Sequence, residues 1–145
     1  MDAFYKFDPT SIGSKGLVFV GDKILVYRRD DNTDNHPLEL DLPGGGPEGN
    51  ETPFETFQRE VKEEFNLDVE MENITYLRIY PSSLGNGRVA YYPVAKLPSS
   101  CEDEIRLGDE GKEYMLLSLD EYLQREDAWD TFQERARDYS STLMQ

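Results

Sequence analysis

Three glutamates stand close together in the stretch REVKEEFNL, residues 59–67. Glu60, Glu63 and Glu64 have the i, i+3 and i+4 spacing, and on a helix these positions lie on one face. Like charges at this spacing destabilise an isolated helix by roughly 0.2–0.5 kcal/mol per pair, and the single Arg59 cannot neutralise all three. Carboxylates gathered in this way are ligands for Mg²⁺ or Mn²⁺. The alternative is a solvated acidic face in an acidic protein.

The residues on either side predict the helix that carries these glutamates. Thr52 is a good N-cap, Pro53 suits the first helical position, and Glu55 completes a capping box with Thr52. Asn66 can adopt the left-handed conformation that ends a helix. Apolar residues recur at helical spacing and predict the buried face, namely Phe54, Phe57, Val61 and Phe65. We therefore expect a helix over 53–65 with the glutamates along one edge of its buried face.

A glycine-rich turn precedes this helix. The segment PGGGPEG, residues 43–49, cannot continue a strand or a helix. It can bring bare backbone carbonyls and amides close to the carboxylates, and carbonyl oxygens are further ligands for a hard cation. The alternating stretch LELDL, residues 38–42, predicts a short strand that runs into the turn.

The rest of the chain predicts a mixture of strands and helices. The expected elements are a β-hairpin at 16–29, paired strands at 73–80 and 88–97, a strand at 114–119, a helix at 120–143, and polar loops at 30–37 and 101–113. Pro93 lacks a backbone N–H and is expected at a sheet edge or a bulge. Strands and helices without regular alternation indicate an α+β fold or a mixed-sheet sandwich.

The composition excludes several classes of partner. The 145 residues contain 15 Lys and Arg against 30 Asp and Glu, a formal net charge of −15. This chain lacks the clustered cations that bind a nucleic-acid polymer or an anionic membrane surface. A small polyanionic substrate remains open if bound cations neutralise the local field. No apolar run approaches the roughly 20 residues of a membrane span, and the single Cys101 allows no intrachain disulfide, so we expect a cytoplasmic protein.

Together these residues resemble the Nudix box. Gly45 is followed after five residues by Glu51, and after seven more by the run 59–67. The family pattern is G, five residues, E, seven residues, then R-E-U-x-E-E-x-G-U, where U is a bulky aliphatic residue. Every fixed position matches except the second glycine, which is Asn66 here. The stretches LDLPGGG and EYMLLSLDEYL extend the resemblance over most of the chain.

The resemblance implies a fold and an activity. The fold would be α+β, a Nudix-type α/β/α sandwich with a mixed β-sheet, in a single domain over 1–145. The activity would be hydrolysis of a pyrophosphate bond in a nucleoside diphosphate linked to another group, X. The expected cofactor is Mg²⁺, with Mn²⁺ as a possibility, because divalent cations neutralise phosphate oxygens and activate water.

The resemblance also implies roles for single residues. The glutamates that match metal ligands of the family are Glu60, Glu64 and Glu63, and a backbone carbonyl at Gly44 or Gly45 would complete the metal site. Arg59 would orient the helix carboxylates, and with Glu60 and Glu63 it belongs to the expected catalytic set. Glu51 would support the geometry between loop and helix.

Residues outside the box have expected roles as well. Many family members add a carboxylate from the loop before the last strand, and Glu110 matches that position better than Asp109 or Glu113. Related enzymes often place a basic residue on substrate phosphate at the end of the first hairpin, which here carries Arg28 and Arg29. The alternative for Glu110 is that it belongs to a solvated acidic loop. The alternative for Arg28 and Arg29 is that they only make the end of the strand soluble.

Three functions follow from this reasoning. A small nucleotide, such as a nucleoside triphosphate in a MutT-like reaction, is the leading substrate because little is added to the core fold. An ADP-ribose or nucleotide-sugar pyrophosphatase is the second reading. Members of that group often have a proline at a set distance after the box, and Pro81 is close to that position without falling on it. A catalytically silent Nudix domain that only binds nucleotides is the non-enzyme reading, and such domains usually lose box glutamates. The expected partner is a small nucleotide in each case.

Overall fold

The computed structural model describes residues 1–30, 38–108 and 111–144, with 111 and 112 described by their backbone alone. The strands are β1 (Ser11–Lys15), β2 (Leu17–Val20), β3 (Lys23–Arg29), β4 (Leu40–Asp41), β5 (Gly44–Gly45), β6 (Ile74–Pro81), β7 (Val89–Leu97) and β8 (Gly111–Leu117). The helices are α1 (Pro53–Phe65), α2 (Leu119–Leu123) and α3 (Asp130–Thr142), and 3₁₀ turns lie at Asp2–Tyr5, Met71–Asn73 and Ser99–Glu104.

The described strands form one mixed sheet around β7. One edge of β7 pairs antiparallel with β6, and the other edge pairs parallel first with β1 and then with β2. β2 and β3 form the hairpin predicted at 16–29, and β3 continues antiparallel to β8 and β4. β5 pairs with β1, which fixes the glycine-rich turn to the sheet.

Helices cover both faces of this sheet. Successive residues of the central strands point to opposite faces, so Val18 and Tyr91 pack with α1, whereas Leu17 and Tyr92 pack with α2 and α3. A strand buried on both faces needs apolar residues at every position, and LVFV and ILVY (residues 24–27) supply them. The result is the expected α/β/α sandwich with a mixed sheet.

Helix α1 begins and ends where the sequence predicts. The Thr52 hydroxyl oxygen accepts the Glu55 N–H at 3.1 Å, and the Glu55 carboxylate accepts the Thr52 N–H at 2.9 Å, so the capping box is complete. Asn66 follows the helix with φ 63° and ψ 25°, the left-handed conformation. The four apolar residues predicted to be buried are buried, namely Phe54, Phe57, Val61 and Phe65.

The prediction for Pro93 is wrong, because this residue lies in the central strand β7 opposite Leu77 of β6. It occupies the level at which the parallel partner of β7 changes from β1 to β2. Gly16 stands at this change, and a Cβ there would meet both the carbonyl and the ring Cδ of Pro93. The missing N–H of Pro93 therefore coincides with a gap between two strands.

The predicted helix over 120–143 is also wrong, because the structure has two helices separated by the segment 124–129. The Leu40 N–H donates to the Asp127 carbonyl at 2.8 Å, and Leu40 forms a parallel bridge with Ala128. The Gln133 side chain donates to the carbonyl oxygens of Tyr122 at 2.9 Å and Arg125 at 2.8 Å, which ties α3 to this segment. The segment 124–129 thus forms hydrogen bonds with β4 instead of continuing the helix.

Smaller differences concern the loops and strand ends. The predicted strand at 38–42 is reduced to the two residues of β4, and β8 begins at Gly111 rather than at 114. The predicted acidic loop at 101–113 contains a 3₁₀ turn and the start of β8. The predicted loop at 30–37 lies, apart from its first residue, outside the described part of the chain.

Candidate active site

Glu64 is the buried glutamate of α1. The residue is 7% exposed, and its Oε1 accepts the Gly44 N–H at 3.1 Å. Burial raises the pKa of Glu64 to about 8, with a smaller contribution from the negative charges of Glu60 and Asp41, while the Gly44 hydrogen bond and Lys15 act in the opposite direction. A carboxylate in this setting is costly to ionise until a cation approaches it.

Glu60 lies directly against the glycine-rich turn. A Cβ placed on Gly45 would lie 2.5 Å from the Glu60 carboxylate carbon, closer than two such atoms can approach. Only glycine at position 45 therefore allows the turn and the helix to come this close. The turn brings Glu60 and Glu64 to the same two residues, Gly44 and Gly45, as the sequence predicts.

Arg59 joins the loop to the helix carboxylates. Its Nε donates to Glu51 Oε2 at 2.6 Å, and its Nη2 donates to the Gly46 carbonyl at 2.9 Å. Its Nη1 donates to Glu60 Oε1 at 3.0 Å and to Glu63 Oε2 at 3.2 Å. The hydrogen bond with Glu51 is the main reason why the pKa of Arg59 lies above its usual value. We call Glu51, Glu60, Glu63 and Glu64 the carboxylate cluster.

Glu51 anchors the loop to the start of α1. Besides Arg59, its carboxylate accepts the Glu48 N–H at 2.9 Å and the Thr56 hydroxyl at 3.1 Å. Burial alone would raise the pKa of Glu51, but these hydrogen bonds and the Arg59 charge bring it below its usual value. Glu51 is therefore an ionised anchor that holds Arg59 in place.

Two of the predicted metal ligands are placed less favourably. The Glu63 side chain is 58% exposed and contacts the rest of the cluster through Arg59. The Gly45 carbonyl oxygen lies against Gly13 of β1, where a Cβ would meet it at 2.4 Å. Among the described residues, no three His, Cys, Asp or Glu side chains converge closely enough to form a metal site on their own.

The chemistry of the donor set nevertheless fits a divalent cation. Glu60 and Glu64 present carboxylate oxygens beside the glycine-rich turn, and such hard oxygen donors suit Mg²⁺ and Mn²⁺. The raised pKa of Glu64, caused first by burial, shows that its ionised form is poorly compensated by the protein alone. A cation between the two carboxylates would remove both the burial cost and their mutual repulsion.

A cavity of about 720 Å³ lies beside the glycine-rich turn. Gly45 and Gly46 form part of its wall and so connect it to the carboxylate cluster. Its cationic lining residues are Lys15, Arg29 and Arg135, and its aromatic lining residues are Tyr91, Trp129 and Phe132. No carboxylate of the described residues lines it, although the chain has twice as many acidic as basic residues. The cavity is therefore suited to an anionic ligand with an aromatic part.

Asp41 holds two of these cations. Its carboxylate is fully buried and pairs with Lys15 Nζ at 2.5 Å and with Arg29 Nη1 at 2.7 Å, while Tyr27 donates its hydroxyl at 3.1 Å. Arg29 Nε is buried and has no hydrogen-bond partner in the described part of the chain. One carboxylate shared by two cations leaves a net positive charge at the cavity wall.

The sequence reasoning missed Lys15, Asp41 and Arg135. Alternation in LELDL places Asp41 on the face opposite to Leu40 and Leu42, so the sequence contains no signal that this carboxylate is buried. Lys15 and Arg135 lie far from the box in sequence, and only the sheet and the packing of α3 bring them to the cavity.

Arg28 points away from this cavity, because successive strand residues face opposite sides. Its Nε donates to Glu113 Oε1 at 2.8 Å, and its Nη1 donates to the Leu38 carbonyl at 2.9 Å and to Asp127 Oδ2 at 3.2 Å. Of the two predicted phosphate ligands, Arg29 lines the cavity and Arg28 does not.

Glu110 and Asp109 lie outside the described residues. The loop that leads to them is held at the end of α1, since the Gly108 N–H donates to the Glu64 carbonyl at 2.7 Å and the Arg106 N–H donates to the Phe65 carbonyl at 3.0 Å. The described chain before Glu110 therefore ends beside the carboxylate cluster.

Comparison with known families identifies this arrangement. A model of the NUDIX domain matches residues 13–137. The chain belongs to the Nudix family. It is thus a Nudix pyrophosphohydrolase, and the match includes the box, the cavity cations and most of α3. A search of curated proteins by sequence found no significant match.

Solved structures share this Nudix fold at low sequence identity. A MutT protein from Methanosarcina mazei Go1 is 21% identical with a TM-score of 0.74, covering 93% of this chain and 96% of that one. A C. elegans Ap4A hydrolase is 18% identical with a TM-score of 0.69, covering 91% and 98%. A bifunctional NMN adenylyltransferase/ADP ribose pyrophosphatase from Francisella tularensis is 24% identical with a TM-score of 0.58, covering 79% and 34%.

The structure also bears on membrane association. None of the described helices is long and apolar enough to cross a membrane. The cytoplasmic location expected from the sequence stays a prediction.

Proposed function

We propose that this Nudix enzyme hydrolyses a pyrophosphate bond in a nucleoside diphosphate linked to X, and that its substrate is a nucleoside triphosphate or a related small nucleotide. The observation that carries the proposal is the junction at Gly45 and Gly46. On one side of these residues lies the carboxylate cluster, and on the other lies a cavity with cationic and aromatic walls. A nucleotide needs both, because its phosphates must meet the site of hydrolysis while its base is held elsewhere.

The proposal includes a divalent cation, Mg²⁺ or Mn²⁺. The residues that would hold it are Glu60, Glu64, Glu63 and a backbone carbonyl of Gly44 or Gly45. When bound, the cation supplies positive charge at the phosphate oxygens and activates water. Its presence would also explain why the fold tolerates a carboxyl as buried as that of Glu64.

Arg59 and Glu51 have positioning roles in this proposal. Arg59 holds Glu60 and Glu63 through one nitrogen while its other two nitrogens bind the loop. Glu51 keeps Arg59 in this orientation through two hydrogen bonds. Preorganised charges do not need to move when negative charge develops on the phosphate, and this lowers the barrier.

Lys15 and Arg29 are the proposed ligands of the substrate phosphates. Both reach the cavity wall near Gly45, and Asp41 fixes both from behind. The buried, unpartnered Nε of Arg29 gives this guanidinium a free donor within the described part of the chain. Arginine and phosphate match in geometry, so the part of this guanidinium that lines the cavity suits a phosphate oxygen.

Glu110 is the proposed general base. The support is its position two residues after Gly108, which is bonded to the backbone of Glu64. A base must come within hydrogen-bond reach of the attacking water, and the anchored loop brings the chain to the correct end of α1.

The cavity favours a small nucleotide over one linked to a second large group. Its volume of about 720 Å³ lies within the roughly 300–1,000 Å³ range of small-ligand pockets. Among the aromatic lining residues, the half-buried Trp129 offers ring surface for a base, whereas Tyr91 and Phe132 are only 2% and 9% exposed. ADP-ribose is the second candidate, since a pyrophosphatase for this compound shares the fold.

A substrate panel with Mg²⁺ tests the proposal. Released phosphate and pyrophosphate are measured for nucleoside triphosphates, ADP-ribose, nucleotide sugars and dinucleoside polyphosphates. We expect the highest kcat/KM for a nucleoside triphosphate and a loss of about a thousandfold in kcat for Glu64→Gln. Lys62→Gln is the control, because Lys62 lies on the same helix and its side chain pairs with Asp68 at the surface. No turnover of any compound, together with no metal binding in a titration, would leave the nucleotide-binding domain as the correct reading.

A further inference from the structure

Arg135 is a cation of the cavity that the proposed reaction does not use. Its guanidinium carbon lies 4.5 Å from the centre of the Tyr80 ring and 5.8 Å from that of Phe132. Throughout the described chain, no carboxylate, carbonyl or hydroxyl oxygen accepts a hydrogen bond from it. A guanidinium has five N–H donors, and stacking on rings satisfies none of them.

The nearby acidic side chains are engaged elsewhere or exposed. Asp138 accepts the Tyr80 hydroxyl at 2.8 Å and lies 3.6 Å from Arg78 Nη1. Glu134 is exposed and does not line the cavity. Burial lowers the pKa of the Arg135 guanidinium, which is the effect of removing a charge from water without a partner. The fold therefore keeps a half-buried cation at the cavity wall with its donors unused by protein.

Residues with hydroxyl side chains line the same cavity as Arg135. Thr131 stands four residues before Arg135, so the two share a face of α3. Ser82 and Ser83 follow β6 directly and line the cavity with them. Serine, threonine and arginine are among the side chains that donate hydrogen bonds to phosphate oxygens. We call Ser82, Ser83, Thr131 and Arg135 the α3 end of the cavity.

The two cationic parts of the cavity both approach the Phe132 ring. Lys15 Nζ lies 5.9 Å from the centre of the Phe132 ring, and Arg135 approaches the same ring at 5.8 Å. Lys15 belongs to β1 and is bound to Asp41, whereas Arg135 belongs to α3 and is packed on Tyr80 of β6. A ligand that fills the cavity thus meets positive charge from β1 and from α3.

We propose that the α3 end is a second anion subsite, which binds a phosphate group carried by the nucleoside part of the substrate. This inference rests on the proposed function and specifies its substrate class as nucleotides with a further phosphate on the ribose, in addition to the 5′ pyrophosphate that is hydrolysed. The 5′ phosphates lie at Lys15 and Arg29, the nucleoside lies along the aromatic wall, and the ribose phosphate lies at Arg135.

Binding measurements with two nucleotides that contain no pyrophosphate bond test this inference. AMP and adenosine 3′,5′-bisphosphate differ by one phosphate, and isothermal titration with Mg²⁺ gives both dissociation constants without turnover. We expect the bisphosphate to bind about tenfold more tightly than AMP, the factor that corresponds to one good charged contact. The dissociation constant of adenosine 2′,5′-bisphosphate, measured in parallel, shows whether the subsite binds a phosphate on the 2′ or the 3′ position of the ribose.

Variants of α3 assign the preference to Arg135. In Arg135→Met the two dissociation constants are expected to become equal, with that of AMP unchanged. Arg135→Lys should keep part of the preference because it keeps the charge. Arg137→Met is the matched control, since Arg137 is exposed on the same helix and binds the Leu123 carbonyl, and it should keep the full preference.

Several outcomes would overturn the subsite. These are equal binding of AMP and both bisphosphates by the wild-type protein, a preference that survives Arg135→Met, or a loss of AMP binding in that variant, which would assign Arg135 to the base. If Arg135→Met does not fold, as judged by thermal melting, the double variant Ser83→Ala and Thr131→Val must reduce the preference or the proposal fails.

The outcome can be separated from that of the proposed function. Turnover of unmodified nucleoside triphosphates without any preference for a ribose phosphate rejects the subsite and keeps the pyrophosphohydrolase. Preferred binding of a bisphosphate, without hydrolysis of any member of the substrate panel, keeps the subsite and rejects the proposed reaction.

Discussion

At the scale of single residues, one helical turn places three glutamates in different surroundings. Glu64 is 7% exposed, whereas the side chains of Glu60 and Glu63 are 17% and 58% exposed. The i, i+3, i+4 spacing predicts that they share a face, and this is observed. Their different burial depends on the glycine-rich turn and on the loop before β8, which cover one side of that face.

The pKa of Glu64 makes the stability of the metal-free protein depend on pH. Burial raises this pKa from 4.5 to about 8 in the folded protein, so the folded state binds the proton more tightly than the unfolded state. The contribution of this proton to the free energy of unfolding is complete below the pKa of Glu64 in the unfolded state. It is lost as the pH rises through the pKa of Glu64 in the folded state. Between about pH 5 and pH 8.5 the free energy of unfolding should fall by roughly 1–4 kcal/mol, measured by urea denaturation with EDTA.

Glu64→Gln tests this assignment, because glutamine can still accept the Gly44 N–H but carries no charge. The variant should lose most of the pH dependence. Mg²⁺ added near pH 8 should raise the free energy of unfolding of the wild-type protein more than that of the variant. Identical pH slopes in both proteins would contradict the assignment.

Gly45→Ala should disrupt catalysis more than folding. The new Cβ would lie 2.5 Å from the carboxylate carbon of Glu60, whose side chain can move away, whereas a Cβ on Gly46 would meet only the Ile12 carbonyl at 3.6 Å. We expect kcat to fall by about a hundredfold in Gly45→Ala, since a shift of about 1 Å in a reacting group has this effect. Gly46→Ala is the control and should lose far less, as measured by steady-state kinetics with melting temperatures in parallel.

Arg28 and Arg29 form a matched pair of adjacent residues with different expected effects. Arg29→Met removes a cavity cation and should raise KM about tenfold. Arg28→Met breaks ion pairs with Glu113 and Asp127 outside the cavity. It should lower the melting temperature by a few degrees, about 1 kcal/mol, and leave KM unchanged. The opposite pattern would show that Arg28 contacts the phosphates.

At the scale of elements, α1 shows where the family pattern and this chain differ. The box position usually held by glycine is Asn66, which adopts the left-handed conformation with φ 63°. Its side chain adds a contact that glycine could not make, since Asn66 Nδ2 donates to the Glu104 carbonyl at 3.0 Å. The asparagine thus ends the helix and ties it to the 3₁₀ turn before β8.

Substitutions at position 66 separate these two roles. Asn66→Ala should lower stability by about 1–2 kcal/mol, because alanine is strained at positive φ and cannot make the hydrogen bond. Asn66→Gly loses only the hydrogen bond and should be closer to wild type. Thermal melting ranks the three proteins, and equal stability of the alanine and glycine variants would argue against backbone strain as the cause.

The segment 124–129 shows what local sequence could not predict. Helical spacing across 120–143 indicates one helix, and the apolar residues of α3 are buried as that spacing requires. The break arises from hydrogen bonds between Leu40 and residues 127–128, which lie nearly ninety positions away. Trp129 consequently precedes α3 and lines the cavity, a position that helical spacing alone did not predict.

At the scale of the whole molecule, the cavity differs in charge from the rest of the chain. The chain carries −15, yet the described lining of the cavity contains three cations and no carboxylate. Excess negative charge elsewhere destabilises the compact state through self-repulsion. The cavity walls thus add no carboxylate to that repulsion, whereas the carboxylate cluster lies on the other side of Gly45 and Gly46.

Salt should therefore stabilise this protein. Raising NaCl from about 20 mM to about 300 mM screens the net repulsion and should raise the melting temperature by a few degrees near pH 7.5. Near pH 5, closer to the isoelectric point of 4.3, the effect should be smaller. A melting temperature that falls with salt near pH 7.5 would mean that ion pairs such as Arg59–Glu51 outweigh the net charge.

The sequence by itself determined the local features of this protein. The caps and the apolar face of α1, the hairpin of β2 and β3, and the box with its glutamates each depend on residues within a few positions of one another. Short-range hydrogen bonding and periodicity are sufficient for such features.

Only the tertiary structure decided which charges meet at the cavity and directly behind its wall. Lys15, Arg29, Asp41 and Arg135 come from four separate elements, and the sheet register and the packing of α3 bring them together. The same packing determines that Glu64 is buried while Glu63 is exposed. Burial and long-range contact depend on how elements cover one another, and side-chain spacing along one element contains no information about that.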